Sequence, residues 1–380
     1  MSYYFLPKIH NNIQNHIITY SPTTFEYIDN ILPTIGYISG KIEKDQERYN
    51  KKLWLDNKKL FNMYNIEYLQ EISCYNNTYK HLYLILELNN LYDFIEPYYN
   101  ASLNILYLCK SQFDIIETIH YLRGKKDIHN CIYYKNIKNN NNFIEQNENI
   151  RVNKQILFDF LNIEYLTMLF SSYSNLYDKI FFIENDNLDY YKNKNKFITC
   201  DEINFIKVFF SLIQIKHNGT LVFKLNNLLE YFNYELLYLL SSCFDKVILL
   251  KPNLSSNISS EIYIVCKKYN INKYNNLFFF NIITHNIQKI INKLDSENVL
   301  QLFKFKLPLF FKNKLNELVT IFSQQQVDNI TNMTKVIFNN NFDESRKNML
   351  VKKSMQKCVF WCIHNKIEYD KSYMENNDFF

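Results

Sequence analysis

Glycine and proline are scarce: the chain has 4 of the first and 6 of the second among 380 residues. Glycine-lined turns, which let backbone approach a ligand closely, have almost nothing to be built from. No stretch approaches the roughly 18 uninterrupted apolar residues that mark a membrane-spanning helix, so no membrane association is expected. The opening "MSYYFLPKIHNN" lacks a basic start followed by an apolar core, and no secretory leader is expected there. No Cys-x-x-Cys pair occurs, and the 8 cysteines are scattered through apolar stretches. That usage suits a reducing compartment, and a cytoplasmic location is expected. Only Cys358 and Cys362, with His364 nearby, stand close together. They read as buried or helix-facing residues rather than ligands, so no metal is expected. A strong charge bias is missing too. With 43 basic and 38 acidic side chains the net charge is +5, which permits a polyanion partner without announcing one.

What is present is apolar and aromatic. Hydrophobic residues make up 47% of the chain, enough for a substantial core, and there are 31 Tyr and 31 Phe. Ile, Asn, Lys, Tyr and Phe share A/T-rich codons, which suggests an A/T-rich, viral genome and explains most of the aromatic excess. Asn-rich tracts such as "NIKNNNN" at 136–142 read as solvated loops.

The first 39 residues look irregular, broken by Pro7, Pro22 and Pro33. Residues 40–71 read as a charged helix with Leu53, Leu60, Tyr64 and Tyr68 on its apolar side. Residues 78–95 read as a second helix with Leu82, Leu86 and Leu88 inward. Strand-like runs then alternate with helix-like ones. Strands are predicted at 103–108, 131–135, 179–184, 219–224, 246–251 and 261–266, and helices at 113–123, 161–173, 201–216 and 231–243. Strands separated by helical runs predict a parallel, doubly wound sheet. The last two strands have only 252–260 between them, too short for a crossover helix, so that pair should be antiparallel. From 276 onward the pattern is helical and mixed, with basic patches "FKNKL" and "RKNMLVKKSMQK". The organisation expected is an N-terminal helical extension (1–75), a central α/β domain (76–275) and a C-terminal helical region (276–380).

Residues 216–269, "KHNGTLVFKLNNLLEYFNYELLYLLSSCFDKVILLKPNLSSNISSEIYIVCKKY", carry a resemblance. They resemble the final third of the FtsJ-like RNA 2′-O-methyltransferases in Asn218-Gly219, a strand ending at Lys224, Phe244, Lys251-Pro252, Ser255-Ser256 and Ser259-Ser260-Glu261. "ASLNILYLCKSQFDIIETIHYLRGKKD" is similar to the family's donor motif, a strand, "LCEAPGGF" and a helix. Its variant is the one found in large DNA viruses, which often closes the helix on an aromatic and an Arg, here Tyr121 and Arg123. "DFLNIEYLTMLFSSYSNLYDKIFFIENDN" resembles the acidic segment and the strand that normally ends in Asp. The tail "KKSMQKCVFWCIHNKIE" resembles the Trp-Cys tail of viral cap-methylating members.

The resemblance implies a Rossmann-like class I methyltransferase sheet, mostly parallel with one antiparallel strand, flanked by helical N- and C-terminal extensions. It implies S-adenosylmethionine as donor and the 5′ end of mRNA as partner, with a protein partner in mRNA processing also open. Of the family's Lys-Asp-Lys-Glu set, the second Lys falls on Lys224 and the Glu on Glu261. The first Lys falls by count on Leu84, with Lys80 one helical turn earlier as a shifted candidate. The Asp falls by count on Ile183, near Glu184 and Asp186. The donor loop falls on Cys109, Ser111, Phe113 and Asp114, the last two in place of the glycine pair. Asp159 either supports the donor ribose or caps a helix starting near Leu161. Lys251, Ser255 and Ser256 fall on the RNA side. The departures predict a chain that has lost methyl transfer and serves as an RNA- or partner-binding subunit. An active enzyme with a rebuilt donor loop is the alternative.

Overall fold

A computed structural model describes residues 2–10, 62, 64–74, 81–93, 95, 101–109, 114–133, 147–157, 176–183, 200–226, 228, 231–256, 258–270, 281–282, 284–285, 302–303, 305–338 and 344–375. Its centre is one sheet. The strands are β1 (Ser2–Phe5), β2 (Asn104–Cys109), β3 (Ile128–Tyr133), β4 (Ile150–Leu157), β5 (Tyr177–Phe182), β6 (Ile215–Leu225), β7 (Phe244–Lys251) and β8 (Ile262–Tyr269). Their spatial order is β1-β7-β8-β6-β5-β2-β3-β4. From β4 across to β6 every pairing is parallel. β8 then inserts antiparallel between β6 and β7, with Lys224 opposite Tyr263 and Leu250 also opposite Tyr263.

The sheet is apolar on both faces, as a parallel sheet covered by helices must be. Along β6, Leu221, Phe223 and Leu225 join one core and Val222 the other. The first core includes helices α4 (Cys200–Gln214) and α5 (Tyr231–Cys243) and the first half of α6 (Leu309–Phe338). The second includes α2 (Leu82–Tyr92) and α3 (Asp114–Arg123). A third cluster joins Leu69 and Ile72 of α1 (Ile66–Ile72), Tyr83 of α2, and Cys358, Trp361 and Cys362 of α7 (Glu344–His364). The short α8 (Ser372–Glu375) follows.

Several sequence expectations are corrected here. The expected single antiparallel strand is joined by a second, because residues 2–5 are not irregular. They form the edge strand β1, antiparallel to β7, with Ser2 opposite Lys251. β4 was not foreseen; its central Arg151, Asn153, Lys154 and Gln155 break the apolar run that marks a buried strand. The helix expected over 40–71 does not run through 64–65. Asn65 is extended (φ −85°, ψ 128°) and its side chain accepts the Glu67 N–H, starting α1 afresh. α2 is shorter than 78–95: it ends where Asp93 turns left-handed at φ 43°. The helix expected at 161–173 and most of 40–71 lie outside the described residues.

One glycine is required by packing. A Cβ at Gly219 would lie 2.5 Å from Ile215 Cγ1 and 2.8 Å from the Lys216 carbonyl oxygen. With Asn218 at φ 63° before it, Gly219 forms the irregularity that shifts the β5–β6 register between Tyr177 and Lys179.

Candidate functional site

The carboxyl ends of β2, β5, β6 and β7 share one edge of the sheet, and the chain reverses its winding between β2 and β5. In open α/β sheets such a crevice holds the ligand. β6 delivers Lys224 to this edge and the start of β8 delivers Glu261. Lys224 Nζ donates to Glu261 Oε2 at 2.9 Å, with side chains 5% and 18% exposed. The pair follows from the antiparallel register, which sets Leu225 against Ile262 and so brings their neighbours together.

Lys251 ends β7 beside this pair. Its ammonium donates to the Ser259 carbonyl at 2.7 Å and to the Glu261 carbonyl at 2.9 Å. Burial pulls its pKa down to about 8; the Glu261 carboxylate opposes that and the Lys224 charge reinforces it. Ser255 is buried and turned inward: its hydroxyl donates to the Pro252 carbonyl at 2.7 Å, closing the turn after β7. Ser256 is half-buried.

The other two positions of that set fall, by count, on apolar residues. Leu84 on α2 and Ile183 just after β5 are buried in the same cluster as Val222 and Tyr263, on the face of the sheet that carries Lys224. Lys80, Ser111, Phe113, Asp159, Glu184 and Asp186 lie outside the described residues. Cys109 closes β2 and Asp114 opens α3, so the connection between them is residues 110–113.

Two features escaped sequence reasoning. Glu87, buried on α2, accepts the backbone N–H groups of Asn253 at 3.0 Å and Leu254 at 3.3 Å. Burial raises its pKa, and those two N–H groups hold it back. It thereby clamps the turn between β7 and β8, which separates Lys251 from Glu261. A lone carboxylate inside "YLILELNN" was the available signal. The second is the buried network around Arg123, a residue that the resemblance already put at the end of α3. Its guanidinium pairs with Asp127 and donates to the carbonyls of Ile95 and Ala101, both at 3.1 Å. Asp127 in turn accepts the Leu103 N–H at 3.0 Å, pinning the start of β2. Arg123 is buried, while Tyr121 is exposed.

Cys358 and Cys362 are buried among Leu69, Tyr83 and Trp361, and His364 is exposed. Burial pushes both thiols up to about 12. Among the described residues no group of three His, Cys, Asp or Glu side chains is placed to hold a metal ion. No helix among them is long and apolar enough to cross a membrane.

A mostly parallel sheet with one strand inserted antiparallel beside its last parallel pair, and helices on both faces, is the Rossmann-like architecture of class I methyltransferases. Residues 175–269, which run from just before β5 to the end of β8, match the family model described as FtsJ-like methyltransferase. Cap-specific mRNA (nucleoside-2'-O-)-methyltransferase 2 of Mus musculus is 24% identical over 192 residues, 46% of this chain and 25% of that protein. The Danio rerio protein of the same name is 30% identical over 127 residues, 32% of this chain and 16% of that protein. The chain thus spans about a quarter or less of the length of these curated relatives. The crystal structure of human methyltransferase-like protein 13 in complex with SAH covers 57% of this chain and 92% of its own, at 12% identity and a TM-score of 0.31.

Proposed function

We propose that this chain is a homologue of the cap 2′-O-ribose RNA methyltransferases that binds the 5′ region of mRNA without transferring a methyl group. On this reading it acts in the cytoplasm as an RNA- or partner-binding subunit of mRNA processing. On this reading residues 76–275 are its FtsJ-like unit, with β1 added to the sheet from the N-terminal region and α6 packed on it from the C-terminal one. The observation that carries the proposal is the contrast within one face of the sheet. Lys224 and Glu261 keep a 2.9 Å ion pair, while the two companion positions are the buried Leu84 and Ile183. A ribose 2′-hydroxyl is a poor nucleophile near neutral pH and needs lysine and carboxylate neighbours to lose its proton. By count two of the four are retained, the first Lys falls on Leu84 with Lys80 as a shifted candidate, and the Asp falls on Ile183 with Glu184 and Asp186 close by.

S-adenosylmethionine is the donor that the family implies. Residues 110–113, Lys-Ser-Gln-Phe, join β2 to α3 and include no glycine. A sequence without glycine here disfavours a donor that needs backbone at close range. The cations at the sheet edge need no donor to meet phosphates.

The test is a calorimetric titration of the purified chain with S-adenosylmethionine, paired with a methyl-transfer assay on capped RNA. The expected result is no binding at sub-millimolar donor and no transfer. Micromolar affinity with methyl incorporation would overturn the proposal in favour of an active enzyme with a rebuilt donor loop. The retained Lys224–Glu261 pair is the observation that favours that second reading.

A further inference from the structure

A cavity of about 270 Å³ lies between α6 and the turn that joins β7 to β8. It adjoins the Lys224–Glu261 pair without including it. Lys251 lines the cavity and bonds the Glu261 carbonyl, and Ser260, also on its wall, donates to the Asn226 carbonyl at 2.7 Å, two residues beyond Lys224. One wall is the α6 stretch that holds Phe322, Ser323, Gln326 and Asn329. The floor is apolar, with buried Leu228, Ile262 and Val319.

The chemistry of this lining is selective. Among the described lining residues Lys251 is the one charged side chain, and the rest are neutral. The amides offer both donors and acceptors. Gln326 Nε2 donates to the Ile258 carbonyl at 2.6 Å, which leaves its own carbonyl oxygen and a second N–H. Asn329 Nδ2 donates to the Gln325 carbonyl at 2.7 Å, which leaves its side-chain oxygen. Neutral groups of mixed polarity over an apolar floor match the edge and body of a nucleobase. Size agrees: 270 Å³ equals the liquid volume of roughly nine waters, below the range of about 300–1,000 Å³ typical of larger ligands. One base fits; a stacked dinucleotide does not.

We propose that this cavity takes a single unstacked nucleobase of the bound RNA, next to the nucleotide whose ribose faces Lys224 and Glu261. The inference rests on the RNA-binding reading above and names the part of the RNA that the chain reads. α6 lies outside the segment that matches the family model, so the base-binding wall is supplied by this chain's C-terminal region.

The experiment is fluorescence anisotropy with a single-stranded RNA of about eight nucleotides and the same backbone carrying abasic sites. Wild type should bind the intact strand roughly tenfold more tightly than the abasic one. The double substitution Gln326→Leu/Asn329→Leu should erase that difference while leaving weak, salt-sensitive binding to both strands. Because Gln326 also holds the 258 carbonyl, Ser323→Met fills the cavity from the α6 wall as an independent variant. Its expected effect is the same, and circular dichroism checks the fold of each. Equal wild-type affinity for intact and abasic strands overturns this inference and leaves the RNA-binding reading standing. So does an intact-strand preference that survives both variants. No binding to either strand overturns the RNA-binding reading, and this inference with it.

Discussion

Breaking the Lys224–Glu261 pair should separate stability from RNA affinity, because the two charges contribute to them with different signs. At 2.9 Å and an effective dielectric of about 20, the gross attraction is about 6 kcal/mol. Desolvation offsets much of it. Lys224 is 5% exposed and Glu261 18%, so water reaches the carboxylate in part. Removing one partner from a fully buried pair costs roughly 3–5 kcal/mol, and the partial exposure lowers the expectation here to about 2–3 kcal/mol. Glu261→Gln and Lys224→Met should each destabilise by about that amount in urea unfolding, with a coupling of about 2 kcal/mol in the double-mutant cycle. RNA affinity should move in opposite directions. Lys224→Met removes a cation from the cleft and weakens binding; Glu261→Gln removes an anion and strengthens it. Anisotropy titrations at low salt measure this. A coupling under about 0.5 kcal/mol would mean the pair behaves like an ordinary surface ion pair. Weakened RNA binding in both single variants would refute the assignment of this edge as the phosphate-facing one.

Three further outcomes follow from geometry. Arg123→Ala strands the buried Asp127 carboxylate and frees the carbonyls of Ile95 and Ala101, so a loss of roughly 3–5 kcal/mol is expected in denaturant unfolding; a loss under about 1 kcal/mol would contradict the buried network. Gly219→Ala places a methyl 2.5 Å from Ile215 Cγ1 and 2.8 Å from a backbone oxygen, and a cost of about 1–3 kcal/mol should appear as a lower melting temperature. Lys251 carries a folded-state pKa of about 8, below its unfolded value of about 10.4. Between these pH values the unfolded chain holds more protons than the folded one, so stability should rise with pH across that window. RNA binding should fall as pH rises through about 8, and Lys251→Met should flatten both profiles.

The layered architecture is legible along the chain, and Lys224 and Glu261 are candidates only through the family resemblance. Runs such as "NILYLC" and "TLVFKL" are apolar at successive positions, and only a strand covered on both faces satisfies that pattern. The short link 252–260 forces β8 to return antiparallel to β7. Those features are local in spacing, so they can be read along the chain. What lies far apart was decided only by tertiary structure. Four residues at the N-terminus become a strand because β7 offers an unpaired edge, about 245 positions away. Glu87 becomes a clamp because packing of α2 brings it to amides 166 and 167 positions on. The α6 wall of the cavity reads in sequence as an ordinary polar helix, "SQQQVDNITN". It meets the β7–β8 turn because the first half of α6 buries Phe311, Leu315 and Leu318 in the core beside α5. Helical periodicity reports which face is apolar, but not which neighbour covers it. The position of Gln326 and Asn329 beside Lys251 is therefore a property of the packed fold.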